Sequence, residues 1–183
     1  HNAIKELYKS LNNTKICYIV DADIKGFFDH MKHEWIIKFL HLYIKDPNII
    51  GLVKKYLKVG VLDDGKLMLN EEGSAQGNII SPILANIYMH NVLTLWYKFI
   101  ITKECKGDNF LIVYADDFVA GFQYKWEAEN YYKLLKERME KFGLQLENSK
   151  SRLLQSGAYI ARAKQKSGEC IRLQTFDFLG FTF

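Results

Sequence analysis

An α+β fold with a mainly antiparallel sheet packed on helices is what this sequence predicts, and three observations predict it. Short β-rich apolar runs and longer stretches with helical spacing follow one another in an irregular order, without the regular repeat of a parallel sheet. Two of the apolar runs, Phe110 to Tyr114 and Phe118 to Phe122, are joined by only Ala115-Asp116-Asp117, a connection short enough to demand antiparallel pairing. At 183 residues and 49% hydrophobic, the chain can bury one substantial core and is too apolar for global disorder.

The elements follow in chain order. Ile4, Leu7, Tyr8 and Leu11 sit at helical spacing, and Asn12-Asn13 stops that helix before the strand Ile16 to Val20, which delivers Asp21 and Asp23 at its end. Residues 33 to 44 read as a helix with Trp35, Ile36, Phe39, Leu40 and Tyr43 on one side. Asp46-Pro47 is a cap followed by proline at the first helical position, and this second helix ends near Lys58. Asp64-Gly65 between apolar runs over 61–69 predicts a hairpin. Ser81-Pro82 opens a long helix through about Phe99. Residues 125 to 142 carry Ala128, Tyr132, Leu135, Met139 and Phe142 on a stripe that Gly143 terminates, and Ile171 to Phe183 again reads as strands.

Charge and cysteine usage narrow the setting. The formal charge is only +4, yet residues 133 to 172 alone sum to +6, with Arg162, Lys164, Lys166 and Arg172 suited either to a nucleic-acid backbone or to a solvated loop. Cys17, Cys105 and Cys170 are widely spaced with no zinc pattern, which fits a reducing, intracellular compartment. His30, His33 and His41 form no ligand set. His1 to Leu11 lacks the pattern of a signal peptide. The uncharged stretch Gly73 to Tyr97 carries too many polar groups for a bilayer and predicts a buried helix.

The carboxylates carry the chemistry. An antiparallel sheet can bring Asp23 and the Asp116-Asp117 turn to one edge. Clustered like charges are unfavourable unless cations neutralise them, and oxygen ligands without His or Cys select magnesium, or manganese, over zinc. Taken alone, Asp-Asp is equally a solvated turn, and Asp21 and Asp23 a strand end.

The ordered series, however, resembles the reverse transcriptase family, most closely the proteins encoded by bacterial group II introns. Asp21-Ala22-Asp23-Ile24-Lys25-Gly26-Phe27-Phe28-Asp29 resembles the family's first metal motif, and residues 73–86, from Gly73-Ser74-Ala75-Gln76-Gly77 to Asn86, the segment that contacts template and nucleotide. Tyr114-Ala115-Asp116-Asp117 matches the metal-binding hairpin. Phe142-Gly143-Leu144-Gln145-Leu146 with Lys150 resembles the next motif, and Phe176-Asp177-Phe178-Leu179-Gly180-Phe181 the hairpin that holds the primer end. Ser74-Ala75 and Ser149-Lys150-Ser151 depart from the commoner Thr-Pro or Ala-Pro and Glu-Lys-Thr without removing a required functional group.

The resemblance implies a polymerase palm over residues 1–183, a fragment of a longer protein with incomplete fingers and no thumb, possessing little activity by itself. It implies an RNA-directed DNA polymerase using an RNA template, a DNA primer, dNTPs and two Mg2+ ions, with Mn2+ as a substitute, in a bacterial cytoplasm. Asp23 and Asp116 would ligate the ions with the carbonyl of Ile24, Asp117 would assist, and Lys150 would aid departure of pyrophosphate. Phe28 matches a steric gate against ribose; Phe27 beside it also reads as plain core. Gln76 and Gly77 would line the base-pair pocket, and Leu179, Gly180 and Phe181 would contact the primer. An intron-RNA-binding maturase scaffold is the alternative. A nucleotide cyclase is disfavoured, because its Gly-Gly-Asp/Glu-Glu-Phe hairpin is not present here. The sequence sets no oligomeric state.

Overall fold

The computed structural model describes residues 2–58, 62–63, 66–67, 80–167 and 174–183. Helix α1 (Asn2–Asn13) leads into β1 (Tyr18–Ala22), then α2 (Phe27–His30), α3 (His33–Tyr43) and α4 (Pro47–Lys58). Strands β2 (Leu62–Asp63) and β3 (Lys66–Leu67) pair antiparallel, as the Asp-Gly signal predicts. A long helical run follows: α5 (Ser81–Met89), two π-helical turns (His90–Thr94 and Tyr97–Ile101) and α6 (Thr102–Glu104). Then come β4 (Asn109–Tyr114), β5 (Asp117–Phe122), α7 (Lys125–Lys141), β6 (Arg152–Gln155), α8 (Ala158–Ser167), β7 (Asp177–Phe178) and β8 (Phe181–Thr182).

The central sheet has the order β4-β5-β1-β6, antiparallel at every pairing. The α+β class and antiparallel sheet predicted from sequence are therefore the observed architecture, a palm-like arrangement of sheet on helices. Local signals place several boundaries. Asp46 Oδ1 accepts from Asn48 N–H at 2.8 Å where α4 begins. At the end of α7, Gly143 adopts φ +79°, and the N–H groups of Gly143 and Leu144 return to the carbonyls of Glu140 and Met139, a Schellman stop that needs glycine's left-handed freedom.

The two faces of the sheet bury different things because side chains alternate along a strand. Val20, Ala22, Ile24, Phe118, Ala120 and Phe122 join the core against α3, α4, α5 and α7, whose buried contributions include Phe39, Val53, Tyr88, Tyr131 and Met139. On the opposite face Ile19, Ile112, Val119 and Leu154 are covered by Leu7 and Leu11 of α1 and by Phe176 and Phe178 of the C-terminal hairpin. Arg138 of α7 ties that helix to the first π-helical turn: its Nε donates to Val92 O at 2.9 Å and its Nη2 to Asn91 O at 3.3 Å.

Several expectations shift. β1 lies two residues later than the apolar run Ile16 to Val20: residue pairing begins at Tyr18, while Cys17 just before it still donates to Phe122 O and accepts from Ser156 N–H. α1 includes Asn12 and Asn13, and the helical run from Ser81 reaches Glu104 rather than Phe99. Asp117 pairs with Tyr114 inside the strand ladder, leaving only Ala115-Asp116 as the turn, with Ala115 at φ +55°. The buried stripe of α7 runs through Tyr131, with Tyr132 only partly covered. Strand β6 and helices α2 and α8 have no counterpart in the sequence reading. Among the described residues no helix is long and apolar enough to cross a membrane.

Candidate active site

Strand register decides which carboxylates meet. The β1–β5 ladder ends where Ala22 pairs with Phe118, so the next residue of each strand, Asp23 and Asp117, emerges at the same end of the sheet and lines one cleft. Alternation puts Asp21 and Asp23 on the same face as Val119 and Asp117, away from the helix-packed core. The result is an open cleft of about 400 Å³ at the end of β1 and β5, lined by Asp21, Asp23 and Asp117, by Lys150 and Arg152, and by Asp177 of β7. With four aspartates against two cations in its lining, the cleft carries a net charge of −2 when all are ionised.

Asp23 is held from the side of β6. Its N–H donates to Ser151 Oγ at 3.3 Å, and its carbonyl accepts from Glu147 N–H at 2.8 Å. Lys25 N–H donates to Gln145 O at 2.9 Å, so Ile24 and Leu146 form the non-hydrogen-bonded pair of a short antiparallel bridge. In that pairing the N–H and C=O of Ile24 are directed away from Leu146.

Each cation answers one carboxylate. Lys150 Nζ stands 3.0 Å from Asp23 Oδ2, a contact that raises the lysine's proton affinity. Arg152, registered across the ladder from Asp21, places its Nε 3.5 Å from Asp21 Oδ2 and donates from Nη2 to Thr175 O at 3.4 Å. Asp21 nevertheless holds its proton more tightly than an ordinary carboxylic acid, through burial first, with Asp177 and Asp117 adding to it and Arg152 opposing. Asp117 is shifted the same way by burial and by the charges of Asp116 and Asp23, against the pull of Lys150.

The donors suit a hard divalent cation in kind: carboxylate oxygens and a main-chain carbonyl, with repulsion between them that such a cation relieves. Among the described residues, though, no three His, Cys, Asp or Glu side chains are drawn close enough to hold a metal as they stand. Asp23 is instead engaged by Lys150.

Asp116 sits on the two-residue turn, outside the described cleft lining, and acts on it through the neighbouring charge of Asp117. Phe27 is 2% exposed in the core, edge-on to Tyr88, and Phe28 is half-buried with its ring 5.4 Å from that of Phe27. Gln76 and Gly77 lie outside the described residues, as does Arg172. Leu179 (φ +52°) and Gly180 (φ +78°) form a two-residue turn of the primed kind between β7 and β8, and Phe181 beside it is 53% exposed. Arg162 is exposed on α8, where the side chains of Lys164 and Lys166 are outside the described set.

Sequence alone names Asp177 and Ser151 only as members of motifs and gives Arg152 no role. The i, i+2 spacing of Asp21 and Asp23, which puts both on one strand face, was the signal available for Asp21; Arg152 and Ser151 become visible only once β6 is paired with β1.

Residues 2–183 match the family described as reverse transcriptase (RNA-dependent DNA polymerase). Among curated proteins, the group II intron-encoded protein LtrA of Lactococcus lactis subsp. cremoris is 35% identical over 108 residues, 59% of this chain and 17% of LtrA. A 91 kDa protein in the cob intron of Schizosaccharomyces pombe is 38% identical over 93 residues, 50% of this chain and 11% of that protein. The chain thus matches under one fifth of the length of either relative. Among solved structures, apo telomerase from Candida tropicalis superimposes with a TM-score of 0.67 at 16% identity, covering 99% of this chain and 32% of that one, a likeness of fold.

Proposed function

This chain belongs to the reverse transcriptase family, and from that premise we propose that it is the palm of an RNA-directed DNA polymerase that extends a DNA primer on an RNA template, in its natural setting the RNA of a group II intron. The observation that carries the reading is the register that brings Asp23 and Asp117 to one end of the sheet in a cleft of net negative charge. Asp23, Asp116, Asp117 and the carbonyl of Ile24 would hold two Mg2+ ions, or Mn2+, which supply activation of the primer hydroxyl and stabilisation of the departing pyrophosphate.

The chain's own residues do the rest. The bonds from Ser151 and Glu147 fix the main chain of Asp23, so its carboxylate is presented at one height relative to β5. Arg152 ties Asp21 to Thr175, just before the C-terminal hairpin, whose Leu179, Gly180 and Phe181 would touch the primer end. Phe28, supported from behind by Phe27, offers a half-buried ring to exclude a ribose 2′-hydroxyl.

Primer extension on an RNA template by the protein at its natural length tests the assignment. Asp116→Ala should lower the rate roughly 1,000-fold, the scale of losing a charge-stabilising element at a reacting centre. Magnesium-dependent extension retained in that variant would end the metal assignment.

A further inference from the structure

The two cations of the cleft are built differently. Arg152 is part of strand β6, pairs with Asp21 in register and makes a second bond to Thr175 O. It is anchored at both ends. Lys150 stands on the turn 148–150, is 68% exposed, and reaches Asp23 by a flexible four-carbon stem. The turn itself does not drift, because Lys150 and Ser151 N–H both donate to Glu147 O, and Glu147 N–H donates to Asp23 O. Lys150 can therefore leave Asp23 by side-chain rotation alone, with its main chain held beside the cleft.

We infer that Lys150 is a displaceable internal cation, which neutralises Asp23 while the cleft is empty and competes there with a divalent metal until the triphosphate of an incoming nucleotide draws it away. The inference rests on the polymerase reading of the cleft. Its physical basis is that two cations on one carboxylate oxygen repel, and Lys150 Nζ at 3.0 Å from Oδ2 already occupies that approach. A nucleotide that attracts the lysine then frees Asp23 for the metal. By reciprocity, metal and nucleotide each tighten the other's binding through this one side chain. The arrangement discourages metal from settling before substrate has arrived.

Mn2+ binding, read by the loss of the free-ion EPR signal, tests this in the protein at its natural length, with and without a non-hydrolysable dNTP analogue. Lys150→Met should bind Mn2+ about 2- to 5-fold more tightly than the native protein when nucleotide is absent, the scale of one exposed ion pair. The enhancement that the nucleotide gives should shrink by the same factor, and Lys150→Arg should keep native behaviour. Unchanged or weaker Mn2+ binding in Lys150→Met overturns the inference while leaving the metal site intact. If Asp23→Asn and Asp117→Asn also bind Mn2+ like the native protein, the ion is elsewhere and the polymerase reading of the cleft fails with it.

Discussion

The two faces of one sheet divide the labour. On the helix-packed face, Val20, Ala22, Phe118, Ala120 and Phe122 alternate into a closed apolar core whose stability depends on volume and shape. On the opposite face, the same strands carry Ile19 and Val119 under α1 and the C-terminal hairpin, and then, two or four residues further toward one end, Asp21, Asp23 and Asp117 in an open cleft. A single period-2 pattern thus builds the scaffold with one set of residues and the charged site with the set between them. Burial favours the first set and penalises the second, as the raised proton affinities of Asp21 and Asp117 record. The difference teaches that this sheet is stable in spite of its acidic end and not because of it.

The strongest way to break the comparison is to damage the apolar face alone. Phe122 is fully buried, with its ring 5.0 Å from Tyr131 and 6.3 Å from Tyr97. Phe122→Ala should cost about 3–5 kcal/mol in denaturant unfolding. A loss under 1 kcal/mol would mean that the helix face is not the stabilising one. Phe28 tests the border between the faces, since it packs against the core cluster yet is only half-buried. Phe28→Ala should raise ribonucleotide incorporation about 100-fold relative to deoxynucleotide, the discrimination a packed pocket achieves against one added hydroxyl. Single-nucleotide incorporation assays that show unchanged sugar selection would remove the gate.

What the sequence revealed follows the same division. The helix-packed face was legible because its signals are local: Asp46-Pro47 starts α4 where capping chemistry says it should, and Gly143 ends α7 by the turn only glycine takes readily. The acidic end was legible as residue types in a family order, while its geometry was not. Strand β6 reads as part of a basic stretch, since Arg152 and Gln155 are polar and only Leu153 and Leu154 lie between them; it becomes a strand by pairing with β1, more than 130 residues away in sequence. With β6 unseen, the bonds from Ser151 to Asp23 and from Arg152 to Asp21 had no basis. The choice of Tyr131 over Tyr132 for the core of α7 was likewise settled by what the helix meets, Phe122 and Trp96, rather than by spacing.

The smallest expected effect bears most directly on the acidic face. Burial and the charges of Asp116 and Asp23 raise the proton affinity of Asp117 in the folded chain above that of an ordinary aspartate. The folded state then binds more protons than the unfolded state over the window between the two pKa values, so stability falls as pH rises through it, and the full penalty remains at neutral pH. Asp117→Asn removes the charge while keeping the shape. In chelator-containing buffer the variant should therefore melt at a higher temperature than the native protein at pH 7, and the gap should close as pH falls below the unfolded aspartate pKa, where the native side chain is itself neutral. A variant that melts lower at pH 7 would show Asp117 to be held by favourable contacts, which would make the acidic end a stabilising feature and erase the contrast between the faces. A gap that stays constant with pH would assign the change to something other than charge, because only ionisation of Asp117 gives it this pH dependence.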